Sequence, residues 1–290
     1  MYPAKFEYLA PTTLDEALST LAERGDEARV LAGGQSLIPM MKLRFATPAM
    51  LVDINRIPGL DFIEETDGQL RVGALVRHND IVDSEIVGRT NHTMAAAAPW
   101  ISDPLVRNLG TVCGSVAHCD PQGDWASVML AVGAEVVASG ASGERVIPIT
   151  DFVVDMFTNA LEPGEMVTEV RIPKYTAPAG GTYLKLERKI GDYATVGVAT
   201  HLELDGSGKI ANAGIALTSV APKNTKAVEA EQALVGEAPG DELFAEAAEL
   251  AAQASDPASD VRGSAEYKRD VVRVFTRRGL AEAHELAQAS

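Results

Sequence analysis

The stretch "LAGGQSLIPMMK", Leu31 to Lys42, decides how the N-terminal half of the chain is read. A short apolar run ends in paired glycines, Gly33 and Gly34, and a polar pair and a proline follow. Glycine lacks a Cβ and tolerates positive φ, so paired glycines let a ligand lie against exposed backbone. Successive N–H groups in such a turn form a concavity that holds an anion without Lys or Arg. Read alone, the pair is foremost an ordinary tight turn. The segment is neither G-x-x-x-x-G-K-[ST] nor a helix-opening G-x-G-x-x-G, which disfavours a P-loop ATPase and a Rossmann site.

Working outward, Leu14, Ala17, Leu18 and Leu21 recur at i, i+3, i+4, i+7 and predict a helix over 13–24. Thr13 and Glu16 have the spacing of a capping box. "ARVLAGG" reads as a strand entering the glycine turn and "MLVDIN" (50–55) as a second strand, together an α/β unit. From about Asp61, "QLRVGAL" is strand-like, "NDIVDSEIV" helical, and "TMAAAAPWI" the end of a buried helix. A Gly-rich loop follows, then a helix from Asp124, then strands in "ERVIPITDFV" and "EMVTEVRIP". "KYTAPAGGT" (174–182) is the best domain boundary, with two Gly and a Pro among small residues. Beyond it, "YLKLER", "TVGVATHLEL" and "KIANAGIALTSV" predict antiparallel strands, the last two joined by a "DGSG" hairpin. Helices are expected over 224–235, 241–253 and 264–288, the last with Tyr267, Val271, Val274 and Phe275 on one apolar face.

Composition narrows the function classes. The 290 residues allow two domains, and 46% hydrophobic content allows a full core. Charge is 25 − 41 = −16, which disfavours nucleic acid as a partner. Cys113 and Cys119 are the two cysteines, too few for a structural zinc site or an iron–sulfur cluster held by this chain alone. The start "MYPAKFEYLAPTT" has no cationic and apolar leader pattern, and no apolar run nears the ~20 residues of a membrane span. A cytoplasmic protein is expected.

The second chemistry-bearing segment is "GTVCGSVAHCDPQGD", Gly110 to Asp124. Thr111 and Ser115 offer hydroxyl donors to phosphate or sugar oxygens. Asp124 can accept from ribityl or ribose hydroxyls, or cap the helix it precedes. His118, lacking a partner at ligand spacing, reads as a hydrogen-bonding loop residue, and the cysteines as small packing residues.

The two segments together resemble the FAD-carrying medium subunit of the molybdenum hydroxylases, the group of xanthine dehydrogenase and aerobic carbon monoxide dehydrogenase. "EPGEMVTEVRIP", "YLKLERKIGDYATVGVA" and "PASDVRGSAEYKRDVV" extend the resemblance over nearly the whole chain. "KLERKIGDYAT" is most similar to the aerobic carbon monoxide dehydrogenase medium subunits. The resemblance implies an α/β (α+β) protein. Its FAD-binding domain of PCMH type would cover 1–176, with subdomains of about 1–56 and 57–176. A C-terminal domain over 177–290 would hold a small antiparallel sheet and a helical bundle.

By resemblance, Ala32, Gly33, Gly34, Gln35 and Ser36, flanked by Leu31 and Leu37, form one loop on the FAD pyrophosphate. Thr111, Gly114 and Ser115 form the other. Asp124 would contact the flavin's ribityl or nucleotide hydroxyls, and Leu161 and Val167 would make apolar contacts. Lys185 would lie near the isoalloxazine, where its charge favours the reduced anionic flavin. Tyr193 would lie near the ring, or else fill a core gap as a strand aromatic. The second loop departs from the family's T-[IV]-G-G-N: Cys113 stands for a Gly, and fits if its φ is negative, and Ser115 stands for an Asn.

The implied partners are a large molybdenum-cofactor subunit, a small subunit with two [2Fe–2S] clusters, and an external acceptor such as a quinone, NAD or oxygen. The implied assembly is a dimer of heterotrimers, touching the inner face of the membrane through its acceptor. This chain would hold no substrate-oxidising residue. Relatives oxidise purines, nicotinate and aldehydes, so those enzymes are the alternative, and a stand-alone flavin oxidase or a scaffold without cofactor the remoter ones. Residues 262–278 carry Arg262, Lys268, Arg269, Arg273, Arg277 and Arg278 against Glu266 and Asp270, net +4, which is a docking face or a solvated helix face.

Overall fold

The computed structural model describes residues 2–66, 68–175 and 177–290; Thr176, where the expected domain boundary falls, lies outside them. The chain begins with β1 (Glu7–Leu9), α1 (Leu14–Arg24), β2 (Ala28–Leu31), α2 (Leu37–Leu43) and β3 (Met50–Asp53). Its three strands form a parallel sheet in the order β1-β3-β2. Thr13 caps α1 by accepting from the Glu16 N–H, and Ala17, Leu18 and Leu21 are buried. The Glu16 carboxylate accepts from Thr12 N–H rather than Thr13, one residue off the expected capping box.

A second layer follows: β4 (Ile63–Thr66), β5 (Gln69–Gly73), α3 (His78–Val82), α4 (Glu85–Thr90), α5 (His92–Ala97), α6 (Pro104–Arg107), α7 (Val112–His118), α8 (Asp124–Ala131), β6 (Glu135–Gly140), β7 (Gly143–Pro148), α9 (Ile149–Phe152), β8 (Val153–Asp155), β9 (Thr158–Asn159) and β10 (Met166–Pro173). Five of these strands make an antiparallel sheet, β4-β5-β10-β6-β7. The helix expected across "NDIVDSEIV" is two, because Asp83 ends α3 and Ser84 caps α4 by accepting from the Val87 N–H.

The C-terminal part holds β11 (Ala179–Leu186), β12 (Val196–Leu204), β13 (Ile210–Thr218), β14 (Thr225–Lys226), α10 (Val228–Leu234), α11 (Asp241–Ala254) and α12 (Ala265–Ala289). Its four strands pair antiparallel in chain order. The face of α12 differs from expectation. Val271 and Phe275 pack half-buried on the core as expected, but Tyr267 and Val274 are exposed, while Lys268, Val272, Thr276, Gly279, Leu280, Ala283 and Ala287 are buried. Small residues decide this, since close approach gains more packing than large side chains held at a distance. A Cβ at Gly279 would sit 2.7 Å from Thr200 Oγ1, and one at Gly180 would fall on the Ala283 carbonyl.

The two parts interlock through the same device. A Cβ at Gly214 in β13 would collide with the Ala131 carbonyl at the end of α8, and one at Gly181 with Thr93 of α5. Tyr183, Ala199 and Ala216 of the C-terminal sheet belong to the N-terminal hydrophobic core.

Candidate functional site

The glycine pair closes on protein. A Cβ at Gly33 would overlap the Leu109 carbonyl oxygen and stand 2.7 Å from Gly110 Cα. The neighbour that forbids a side chain at Gly33 is therefore the start of the second segment. Gly34 has φ +70, a conformation L-residues rarely adopt, with Leu31 and Ile38 side chains close by. The chain turns there into α2, and Ser36, its N-cap, makes no side-chain capping bond. Among the described residues, the N–H groups of Gly34, Gln35, Ser36 and Leu37 donate to no protein acceptor. Gln35 Nε2 donates to the Gly33 carbonyl at 3.3 Å. This first jaw is an open row of backbone donors.

The second segment, expected as a Gly-rich loop, contains the helix α7. Thr111 is its N-cap and its hydroxyl oxygen accepts from the Gly114 N–H at 3.1 Å. That leaves the hydroxyl proton of Thr111 to donate elsewhere. Gly114 is exposed and Ser115 half-buried, with no hydrogen bond to the Ser115 hydroxyl among the described residues. Cys113 lies within the helix at negative φ, so it fits where the family pattern has Gly. The Cys113 and Cys119 thiols donate to backbone carbonyls, and burial raises both, Cys119 to about 12. They are packing residues, as expected, and no cluster of metal-ligating side chains occurs among the described residues. His118 is half-buried against Phe157, ring centroids 5.1 Å apart.

Three residues absent from the sequence reading join the jaws. Asn55 Nδ2 donates to the Ala32 carbonyl at 2.8 Å, and Asn55 Oδ1 accepts from Arg77 Nη2 at 2.5 Å. Arg77 Nη1 then reaches the Leu109 carbonyl at 2.5 Å. His78 lies under Gly110, whose Cβ would stand 2.7 Å from its Nε2. Its Nδ1 accepts from the Trp125 indole N–H at 3.0 Å, so the neutral ring carries its proton on Nε2. Burial, then the positive charges of Arg107 and Arg77, lower His78 to about 4. No motif pointed to these residues; the one available signal was their position at the end of, or just after, predicted strands, where α/β sites gather.

Asp124 is not a cap, because Gly123 holds that position of α8. Its carboxylate is buried and taken up on both oxygens: Tyr183 Oη donates to Oδ1 at 2.5 Å and Lys185 Nζ to Oδ2 at 3.0 Å. Burial raises Asp124 despite the pull of Lys185. Lys185 also donates to the Trp100 carbonyl at 2.9 Å and lies 3.7 Å from Glu187. The expected free positive charge at Lys185 is thus matched by two carboxylates, and the pair seals α8 to β11.

Tyr193 is no strand aromatic. It lies between β11 and β12, 48% exposed, and partial burial of its phenol, then the charges of Asp120 and Asp124, raise its pKa. Leu161 packs half-buried on the core, and Val167 is a buried sheet residue opposite Ala138.

The basic face does not stand free. Arg262 donates to the Tyr193 and Ala194 carbonyls and pairs with Asp192 at 3.4 Å. Lys268 is buried on Asp260, Arg269 faces Asp256, and Arg273 bridges Glu249 and Asp270. Arg277 and Arg278 alone of the six form no ion pair among the described residues.

Comparison with known proteins follows the same division. Residues 4–175 match the family described as the FAD binding domain in molybdopterin dehydrogenase, and 181–283 the carbon monoxide dehydrogenase flavoprotein C-terminal domain. The carbon monoxide dehydrogenase medium chain of Hydrogenophaga pseudoflava is 40% identical over 98% of this chain and 98% of its own. The 6-hydroxypseudooxynicotine dehydrogenase complex subunit alpha of Paenarthrobacter nicotinovorans is 38% identical over 98% and 96%. A solved structure of the Hydrogenophaga pseudoflava carbon monoxide dehydrogenase, lacking the Mo-pyranopterin moiety of its molybdenum cofactor, superimposes with a TM-score of 0.95 at 42% identity, covering 99% of both chains.

Proposed function

This chain belongs to the FAD-binding family of the molybdopterin dehydrogenases, and from that premise we propose that it is the electron-transferring flavoprotein subunit of a molybdenum hydroxylase. The observation that carries the reading is the row of N–H groups from Gly34 to Leu37 that find no acceptor among the described residues, held against the start of the second segment. Such a row suits a diphosphate in a chain whose net charge is −16. In this reading Ala32, Gly33, Gly34, Gln35 and Ser36, flanked by Leu31 and Leu37, line one side of the FAD pyrophosphate. The Thr111 hydroxyl, Gly114 and the Ser115 hydroxyl line the other, with Leu161 and Val167 as apolar neighbours. Asp124 and Lys185 fix the wall between the two domains, whose boundary we place at 176/177, and Tyr193 faces the ring.

When bound, FAD supplies a centre that accepts two electrons and releases them singly or as a pair, while the protein sets its position and access. The chain's own part is to bind, orient and shield it. The partners in this reading are a large subunit with the molybdenum cofactor and a small subunit with two [2Fe–2S] clusters, assembled as a dimer of heterotrimers. An external quinone, NAD or oxygen takes the electrons. No helix among the described residues is long and apolar enough to cross a membrane, which accords with a cytoplasmic complex.

Carbon monoxide oxidation is the leading activity of the complex, on the medium-chain matches. A second reading, oxidation of a hydroxylated pyridine, is favoured by a relative of nearly equal identity. Substrate recognition in both lies on the large subunit. The test is flavin absorbance in the purified chain, lost in Gly34→Val; a folded wild-type chain without flavin would sink the proposal. Anaerobic addition of carbon monoxide or of the pyridine to the complex, followed by flavin bleaching, separates the two readings.

A further inference from the structure

We propose that Arg77, acting through Asn55, sets the spacing of the two jaws and thereby the affinity for FAD. It is a positioning residue, and the inference rests on the FAD reading above. The jaws come from different sheets: Ala32–Leu37 follows β2 of the parallel sheet, and Leu109–Gly114 lies with the antiparallel sheet. Rigid alignment of two such elements needs a link that both share. Arg77 is built into the second jaw by its backbone. It forms a bridge with Thr111, while the neighbouring His78 N–H donates to the Gly110 carbonyl at 3.0 Å and Val112 N–H to the Val76 carbonyl at 3.2 Å. Its own N–H is fixed by Asp80 Oδ2 at 2.7 Å.

From that anchored backbone the guanidinium spans the gap. One nitrogen holds Leu109 and the other holds Asn55, which in turn holds Ala32. Asn55 is immobilised by Asp53 Oδ1, to which its N–H and its Nδ2 both donate, at 2.9 and 2.6 Å. The other oxygen of Asp53 accepts from Tyr8 Oη at 2.5 Å. Both terminal nitrogens of Arg77 and both side-chain atoms of Asn55 thus have a fixed partner, and they link Ala32 to Leu109 by hydrogen bonds. The fork is needed because two acceptors lie in different directions, a geometry that Arg meets and Lys does not.

The test measures FAD and ADP dissociation constants and melting temperatures of the flavin-free full chain for wild type, Arg77→Lys, Asn55→Ala and the double variant. ADP carries the pyrophosphate without the flavin ring. We expect each single variant to weaken FAD and ADP alike by about tenfold or more, the range for a hydrogen bond to a charged group. The double variant should be no weaker than the worse single one, because one link is broken once. Melting temperatures of the flavin-free chains should stay within a few degrees, about what a surface bond contributes. Additive losses, an unchanged ADP affinity, or affinity lost only in step with melting temperature would overturn the proposal. Wild-type protein that binds neither ligand would instead remove the FAD reading on which it rests.

Discussion

Among the described residues the Gly34–Leu37 jaw keeps its backbone donors free, whereas in the Thr111–His118 jaw the Gly114 N–H donates to the capping hydroxyl oxygen of Thr111. The first is a glycine turn held in place from outside, by Leu109, Gly110 and the Asn55 side chain. The second is a short helix held from inside, by its own cap and by buried neighbours such as Cys113 and Val116. Two segments of similar composition therefore divide one task. In the proposed reading one offers its backbone amides to the pyrophosphate, and the other offers hydroxyls and the rigid backbone against which the first can lean. Substitutions should separate the two roles.

The largest effect is expected at the contact between them. Gly33→Ala pushes a Cβ into the Leu109 backbone, which has no flexible side chain to yield. It should lose FAD binding and about 3 kcal/mol of stability, the upper part of the overpacking range, in denaturant unfolding. Gly34→Ala meets side chains that can shift, and its φ of +70 should cost only about 1 kcal/mol. Equal losses at both positions would break the distinction between an external support and a local turn.

Next comes acidification. The native state holds His78 neutral under Gly110, so it binds fewer protons than the unfolded chain between the ordinary value of 6.5 and about 4. Stability should therefore fall as pH drops through that window, by up to about 3 kcal/mol relative to His78→Gln, from the size of the shift. Urea unfolding of the two proteins at pH 7.5, 6, 5 and 4.5 checks the sign: parallel curves would mean that the second jaw has no buried neutral imidazole beneath it.

Smaller effects lie within the second jaw. Thr111→Val removes the cap of α7 and should cost about 1 kcal/mol, with a modest loss of FAD affinity. Ser115→Ala removes a hydroxyl with no partner among the described residues and should leave stability within about 0.5 kcal/mol, so any change in FAD affinity there reports a direct contact.

Much of the architecture was legible before the structure. The α1 stripe, the strands bearing "MLVDIN" and "EMVTEVRIP", and the "DGSG" hairpin all rest on short-range periodicity or turn chemistry, and all are in place. Several misreadings share a cause. Gly33, Gly180, Gly181 and Gly214 each admit a distant backbone or side chain, and such a contact leaves no trace in local pattern. The apolar stripe of α12 was half right: Val271 and Phe275 pack on the core, while Tyr267 and Val274 are exposed, because the buried face follows Val272, Gly279, Leu280, Ala283 and Ala287. Lys268 is buried there because Asp260 and the Ala258 carbonyl await it. Asp124 was read as an acceptor for flavin hydroxyls or as a helix cap; the cap is Gly123, and the partners of Asp124 in the structure, Tyr183 and Lys185, lie some sixty residues away. Arg77 and Asn55 form no motif, since their meaning arises only where two sheets meet.

The most direct measurement is titration of FAD into the flavin-free wild-type chain and its Gly33→Ala and Ser115→Ala variants, followed by flavin fluorescence. Wild type should bind stoichiometrically, Ser115→Ala should remain within about tenfold of it, and Gly33→Ala should not bind. A folded wild-type chain that ignores FAD, or a Gly33→Ala chain that binds it as tightly as wild type, would contradict the two-jaw account.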